Sequence, residues 1–188
     1  PEATAMPEIC YGAPNLYFLF AAMGIFNLKS MGEMVYIIPR SWTSGAYFQH
    51  FREYFLHECQ LKHIHLFVSR NKVFDKEDVL QETMIIKVQK TSKVPQHVTI
   101  TSSETSKNFD KLTTLQIPYS LVGAGKEKYV YLVTNDEEMS VLKKMHQWHD
   151  TLPSLGMKMK TGLTVDFRNR DALRDNPEKG SIPLFYSQ

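Results

Sequence analysis

Apolar positions from Asn15 onward recur with a helical period: Leu16, Leu19, Phe20, Met23 and then Phe26 or Asn27 lie three or four residues apart, the spacing that lines one side of an α-helix. Asn15 stands where a side-chain oxygen can cap the first free amides. A helix is therefore predicted from there to about Lys29, ended by Ser30-Met31-Gly32. Met34 to Ile38 is short and nearly continuously apolar, the pattern of a strand buried on both faces. Pro39 interrupts it, and Arg40, Ser41 and Trp42 follow at once, then Gly45. Tyr47, Phe48, Phe51, Tyr54 and Phe55 fall at spacings of three, four and seven, which predicts a second helix with an aromatic face. His63 to Val68 and Thr83 to Val88 read as two further strands, separated by the polar stretch SRNKVFDKEDVLQE, which Val73-Phe74 interrupts.

Helix, strand, helix, strand is the rhythm of an α/β fold, a parallel sheet covered by helices. The last two strands are joined by about a dozen residues with no clear helix, a connection that suits an antiparallel pair better than a parallel crossover. From Lys90 to Asp110 the composition shifts to Thr, Ser and Lys around Pro95, as in a linker or a sheet edge. Two units are expected, residues 1–95 and a smaller α+β segment at 96–188. In the second, Lys128 to Thr134 reads as a strand, Asn135 opens a helix with Glu138 at the position of a capping box, and that helix is expected to run to about Trp148. Met159 to Asp171 alternates like a strand that follows a turn at Gly162.

Composition narrows the class. Of 188 residues, 22% are charged and 43% hydrophobic, the profile of a soluble globular protein. The best membrane candidate, Leu16 to Leu28, is short of the ~20 residues a spanning helix needs and contains Gly24 and Asn27. The first residues, PEATAMPEICYG, are acidic where a secretory signal is basic. Two widely separated cysteines, Cys10 and Cys59, fit a reducing compartment, so a cytoplasmic protein is expected. A net charge of +2 is too small to imply nucleic acid by itself. Its distribution is more suggestive, with Arg40, Arg52, Arg70 and Lys72 near strand ends and Lys158, Lys160, Arg168, Arg170 and Arg174 in one late segment; either group also suits a solvated surface. A start without methionine and a close on the apolar IPLFYSQ suggest a piece of something larger.

Most chemical motifs are missing: there is no GxGxxG, P-loop lysine, HExxH or GxSxG. Gly123-Ala-Gly125-Lys126 lacks the following Ser or Thr and the strand-to-helix setting of a phosphate loop. His63 and His65 share a strand face and His146 and His149 are three apart, but neither pair has a third metal ligand near it in sequence. Asp75, Glu77 and Asp78 suit a solvated loop better than an acid–base pair. The strand-end residues are different, because in open sheets ligands bind outside the carboxyl ends of the parallel strands. Arg40 and Ser41 would stand there, unless Arg40 is merely solvated and Trp42 packs the sheet end. Phe74, flanked by Arg70, Lys72 and Lys76, offers an aromatic face with adjacent cations, the pairing that holds an unstacked base and its phosphates; taken alone, its pattern favours a place in the core.

Taken in order, NLYFLFAAM (Asn15 to Met23), GEMVYIIPRSWTSGAYFQHFREYFL (Gly32 to Leu56), HIHLFVSRNKVFDKEDVLQETMIIKVQK (His63 to Lys90) and TGLTVDFRNRDALRD (Thr161 to Asp175) resemble the adenine-specific DNA methyltransferases of type II restriction-modification systems. The closer likeness is to those with a catalytic domain followed by a target-recognition domain. The first three segments cover most of residues 15–90. The resemblance implies a Rossmann-like methyltransferase sheet in which Met34 to Ile38 is the fifth strand, His63 to Val68 the sixth and Thr83 to Val88 the antiparallel seventh. It implies S-adenosylmethionine as cofactor, with Phe20 in the wall of its pocket, and double-stranded DNA with a flipped adenine as substrate, with Phe74 stacked on that base. Arg40, Ser41, Arg70 and Lys72 would then line the DNA cleft, Trp42 its floor, and Arg168 and Arg170 would belong to the start of target recognition.

The family's glycine-rich cofactor motif and its Asn-Pro-Pro-Tyr tetrad precede the portion that matches, and neither is in this sequence. The chain is accordingly expected to be a fragment, inactive without the N-terminal half of the same protein. Two rivals stay open: a non-catalytic DNA-binding or specificity subunit with a degenerate methyltransferase fold, and an unrelated Rossmann-like enzyme that uses Arg40 and Ser41 as an anion site.

Overall fold

The first helix is capped as its sequence predicts. In a computed structural model, which describes residues 15–67, 82–104, 109–160 and 168–183, the Asn15 side chain accepts the Tyr17 amide at 3.2 Å and α1 runs from Leu16 to Asn27. Its other end is closed by a cation: Lys90 Nζ donates to the carbonyls of Ile25 and Phe26 at 3.0 and 3.1 Å, where helix carbonyls and dipole both favour positive charge. The side that α1 buries is Phe18, Ala21, Ala22 and Ile25, while Leu16 and Phe20 of the predicted stripe are 71% and 58% exposed. Small residues let the helix approach the sheet closely; a Cβ on Gly24 would lie 2.6 Å from Met34 Sδ.

Strand β1, Glu33–Pro39, is followed by a 3-10 turn at Arg40–Thr43, a second at Ala46–Phe48, and helix α2 over Gln49–Glu58. Strands β2 (Gln60–Phe67) and β3 (Thr83–Gln89) pair antiparallel, as the short connection requires, and β3 lies between β1 and β2, antiparallel to both. The sheet does not stop there. Strand β4 (His97–Ser103) pairs parallel to β2, and β5 (Thr113–Pro118) pairs antiparallel to β4, giving the order β1-β3-β2-β4-β5. The change of composition at Lys90 thus falls within one continuous sheet; Val98 and Ile100 point to the core while Thr99 and Thr101 point to the other face, where Thr101 is also buried, the side-chain alternation of a strand.

One face of the sheet carries the core: Ile38, Met84, Ile86, Val88, Leu61, Ile64, Leu66, Val98, Ile100 and Ile117 are all buried, under α1, α2 and a one-turn helix α3 at Tyr119–Val122. A bulge between Leu61 and His63 re-phases β2, so Leu61 and Ile64, three apart, both face inward. The other face is partly open. Val35 and Ile37 are 64% and 59% exposed, which corrects the expectation that β1 is buried on both sides: it is an edge strand with a single neighbour.

After α3 come a two-residue hairpin, β6 (Gly123–Ala124) with β7 (Tyr129–Val130), and helix α4 over Asp136–Met145. Only Tyr129 and Val130 of the predicted strand at 128–134 pair, and α4 stops three residues short of Trp148. Its cap is as predicted: Asn135 Oδ1 accepts the Glu138 amide at 2.8 Å, and Glu138 reaches back to the Thr134 amide at 2.7 Å. The chain divides into two compact units, 1–148 and 149–188. In the second, the described residues form turns around Gly156 and Gly180 and a 3-10 turn at Arg170–Ala172. The predicted strand there falls largely outside the described residues, and Arg170 sits in that turn rather than on a strand. No helix among the described residues is long and apolar enough to cross a membrane.

Candidate nucleic-acid interface

The turn after β1 is built by its own hydrogen bonds. Thr43 Oγ1 donates to the Arg40 carbonyl at 2.8 Å and the Gly45 amide to the Ser41 carbonyl at 2.9 Å. Glycine is required at 45, since a Cβ would come within 2.8 Å of Ser41 O and 2.7 Å of the Phe48 ring. Trp42 is fully buried and packs on Phe55 and Phe51 at ring-centroid separations of 5.0 and 5.8 Å. That aromatic anchor fixes the turn, while Arg40, Ser41, Thr43 and Ser44, with Pro39, Glu82 and Leu132, line a cavity of about 310 Å³.

Arg40 does not stand free in it. Its amide donates to the Glu82 carbonyl at 2.7 Å and its Nη1 lies 3.1 Å from Glu82 Oε2, with both side chains about one-third exposed. The Ser41 hydroxyl is 3.0 Å from that of Tyr17. Burial raises the Tyr17 pKa, and the Ser41 hydrogen bond only partly offsets this, so the pair acts as neutral hydroxyls.

The residue that organises this edge is Arg52, whose position among the basic residues suggested surface. It is fully buried on the aromatic face of α2. Nη1 donates to the carbonyls of Trp42 and Gly45 at 2.9 and 2.7 Å, Nε donates to the carbonyl of Glu127 at 2.9 Å, and the guanidinium lies 5.0 Å from the Tyr129 ring centroid. Desolvation lowers its pKa, opposed by Tyr129, Glu127 and Glu53; from the ordinary arginine range the group stays cationic. Nη2, like Trp42 Nε1, is buried with no hydrogen-bond partner among the described residues. The sequence signal was available: Phe48, Arg52 and Phe55 follow a spacing of four and seven, so the cation shares the apolar face.

Of the other predicted residues, Phe20 stands on the exposed side of α1 and is not part of the cavity lining. Phe74, Arg70 and Lys72 lie outside the described residues. Arg168 and Arg170 are exposed and belong to the second unit. Gly123-Ala-Gly125-Lys126 forms the β6–β7 hairpin and its turn, not a phosphate loop. His63 and His65 do share a face, but they bond to hydroxyls: His63 Nε2 and His65 Nδ1 both lie 2.8 Å from Thr101 Oγ1, and His65 Nε2 lies 3.0 Å from Ser103 Oγ. His146 Nδ1 donates to the Leu142 carbonyl. Among the described residues no three His, Cys, Asp or Glu side chains converge as a metal would need.

The turn after β1 lies within a stretch that has known relatives. Residues 5–74 match the Eco57I restriction-modification methylase family, and the chain is homologous to type II methyltransferases. The particular relatives are M.BsuBI of Bacillus subtilis, 37% identical over 174 residues and 92% of this chain, and M.PstI of Providencia stuartii, 34% identical over the whole of it. The chain spans about a third of their length, 34% and 37% respectively. The crystal structure of the type IIG restriction endonuclease BpuSI superposes with a TM-score of 0.42 at 21% identity, over 52% of this chain and 11% of that one.

Proposed function

We propose that the chain is a segment of an adenine-specific DNA methyltransferase of a restriction-modification system, which transfers a methyl group from S-adenosylmethionine to the exocyclic amino group of adenine. The observation that carries this reading is the 37% identity to a type II methyltransferase over 92% of the chain. The antiparallel course of β3, the seventh strand of the implied sheet, agrees with it. The protein would act in the cytoplasm, with residues 1–95 in the catalytic half, whose sheet β4 and β5 extend, and with target recognition beginning in the residues that follow.

S-adenosylmethionine supplies an electrophilic methyl on its sulfonium, so the protein's part is to bind, orient and exclude water. Phe20, 58% exposed on α1 with Leu16 beside it at 71%, suits an apolar wall for that cofactor. Phe74 would stack on the extruded adenine, with Arg70 and Lys72 on flanking phosphates and Arg168 and Arg170 on DNA beyond. Arg40 has donors to spare after pairing with Glu82, because a guanidinium carries five N–H groups, and Ser41 lies beside it. Acceptors for the amino hydrogens would come from the part of the longer protein that precedes the match, so the 188 residues alone are expected to be inactive.

The test is methyl incorporation from labelled S-adenosylmethionine into duplex DNA by the complete polypeptide that carries this chain, followed by nucleoside analysis. N6-methyladenine is expected, and Phe74→Ala should lose about 1–3 kcal/mol of base interaction without equal loss of fold stability. Methyl groups on cytosine would overturn the adenine assignment. Salt-sensitive DNA binding with no cofactor binding would establish the non-catalytic subunit instead.

A further inference from the structure

We infer that the β6–β7 hairpin is a second contact of the DNA cleft, with Lys126 and Lys128 on backbone phosphates, held there by the buried Arg52; this rests on the DNA-methyltransferase reading above. Three observations converge. Arg52 is a cation taken wholly out of water, and it spends its donors on two surface loops: Trp42 and Gly45 in the turn after β1, and Glu127 at the tip of the hairpin. Burying a guanidinium costs several kcal/mol before its bonds repay it, and a packed apolar side chain could fill the same space. What an apolar side chain could not do is tie the carbonyls of two separate loops at fixed distance.

The hairpin tip is also conformationally specified. Gly125 has φ +73° and Lys128 φ +53°, with the Lys128 amide donating to the Gly125 carbonyl at 3.3 Å. A residue in the left-handed region is held there by its surroundings, so the backbone fixes the direction in which Lys128 leaves the hairpin. Lys126 and Lys128 are both exposed, flanking the half-buried Glu127 whose carbonyl Arg52 holds.

Finally, the hairpin leads into the cavity. Two residues after β7, Leu132 lines the same cavity as Arg40, Ser41 and Ser44. In that cavity the Arg40 charge is met by Glu82 at 3.1 Å, whereas neither hairpin lysine has an ion-pair partner among the described residues. Among the described residues of this edge, the lysines without an ion-pair partner are therefore on the hairpin, where Glu127 between them offsets part of their charge, and a polyanion that approaches Arg40 and Ser41 passes them.

The experiment measures binding of the complete polypeptide to a non-cognate DNA duplex as a function of salt. Each phosphate contact contributes about 0.9 to the slope of log affinity against log salt. The double variant Lys126→Gln/Lys128→Gln should flatten the slope by about 1.8 and weaken binding to all sequences alike, with thermal unfolding unchanged. Arg52→Lys, which keeps the charge but cannot reach three carbonyls with a planar fork, should flatten the slope to the same extent although both hairpin lysines are present. The control pair Lys62→Gln/Lys93→Gln lies in a separate cavity beside Met31 and Gln89, at the opposite end of β1, and should leave the slope as it was. Wild-type binding that depends on salt, with an unaltered slope in the hairpin double variant, overturns this inference and leaves the methyltransferase reading intact. A wild-type protein that binds no DNA overturns both.

Discussion

Replacing His65 with glutamine tests the polar row on the second face of the sheet through its dependence on pH. His65 is only 6% exposed and its ring nitrogens meet Thr101 Oγ1 at 2.8 Å and Ser103 Oγ at 3.0 Å; His63 meets the same Thr101 oxygen at 2.8 Å. A neutral imidazole offers one donor and one acceptor, so the row His63, Thr101, His65, Ser103 is satisfied when every hydrogen points the same way along it. Protonating His65 makes both its nitrogens donors, and the Thr101 hydrogen loses its acceptor in that ring. Burial, and then His63, hold the His65 pKa below the ordinary value; burial and Lys87 do the same for His63. The unfolded chain takes up the proton near pH 6.5. Stability from neutral His65 is therefore complete above about pH 6.5 and is lost as pH falls through that value toward the lower folded one. One proton of difference corresponds to at most about 1.4 kcal/mol per pH unit. In urea unfolding at pH 8, 7, 6 and 5.5, His65→Gln should be less stable than wild type by about 1–3 kcal/mol at pH 8, from buried hydrogen bonds lost. That gap should shrink below pH 6.5 by up to about 1.4 kcal/mol per unit. A gap that stays constant with pH, or widens in acid, would refute the reasoning.

Other substitutions test the elements that hold the site. Lys90→Met removes the cation that caps α1 and should cost about 1–2 kcal/mol, with faster amide exchange in α1 and unchanged exchange in β2; uniform loss of protection would assign Lys90 to the core instead. Gly45→Ala forces a Cβ against the Ser41 carbonyl and should destabilise by about 1–3 kcal/mol while weakening Arg52's hold on the turn, seen as a change in Trp42 fluorescence. An unshifted emission would mean the turn is more pliable than its hydrogen bonds imply. Cys59 is fully buried, with its pKa raised by burial to about 11, so at pH 8 about one thiol in a thousand is thiolate. Alkylation followed by peptide mass analysis should modify Cys59 only in denaturant, and labelling in buffer at the rate of a free thiol would contradict its placement.

Local signals in the sequence were reliable where a single residue decides the outcome. Asn15 and Asn135 cap the helices they were expected to cap, because a side-chain oxygen beside free amides needs no tertiary context. The short connection before Thr83 predicted an antiparallel pair on geometry alone, and β2–β3 is one. Faces were less legible. Helix α1 is apolar nearly all round, so its period admits more than one stripe, and the choice fell to Ala21, Ala22 and Gly24, whose small size allows close approach to β1. For β1 the continuous apolar run says that both faces are greasy. It does not say that both are covered, and Val35 and Ile37 are not. The Thr- and Ser-rich stretch after Pro95 left a linker and a sheet edge both open, because its polar positions outweigh Val98 and Ile100 in composition although they alternate with them in order, and it forms strand β4.

The candidate site divides along the same line. Arg40 and Ser41 were placed at a strand end by the break at Pro39, and they line a cavity there with Ser44 and Glu82. The reason the turn stays in place was not visible in its own residues, because it comes from a cation in the next helix that also binds a carbonyl 75 residues away from it in sequence. Charge patterning counts Arg52 with the solvated basic residues; periodicity places it with Phe48 and Phe55. The two principles conflict at that one position, and packing decides for the second, since an arginine on an aromatic helix face can be buried only where enough carbonyls converge on it. Three do. A cation that breaks the polarity rule of its helix is therefore the sequence feature that marks where distant loops meet, and here they meet at the edge of the sheet where Arg40 and Ser41 stand.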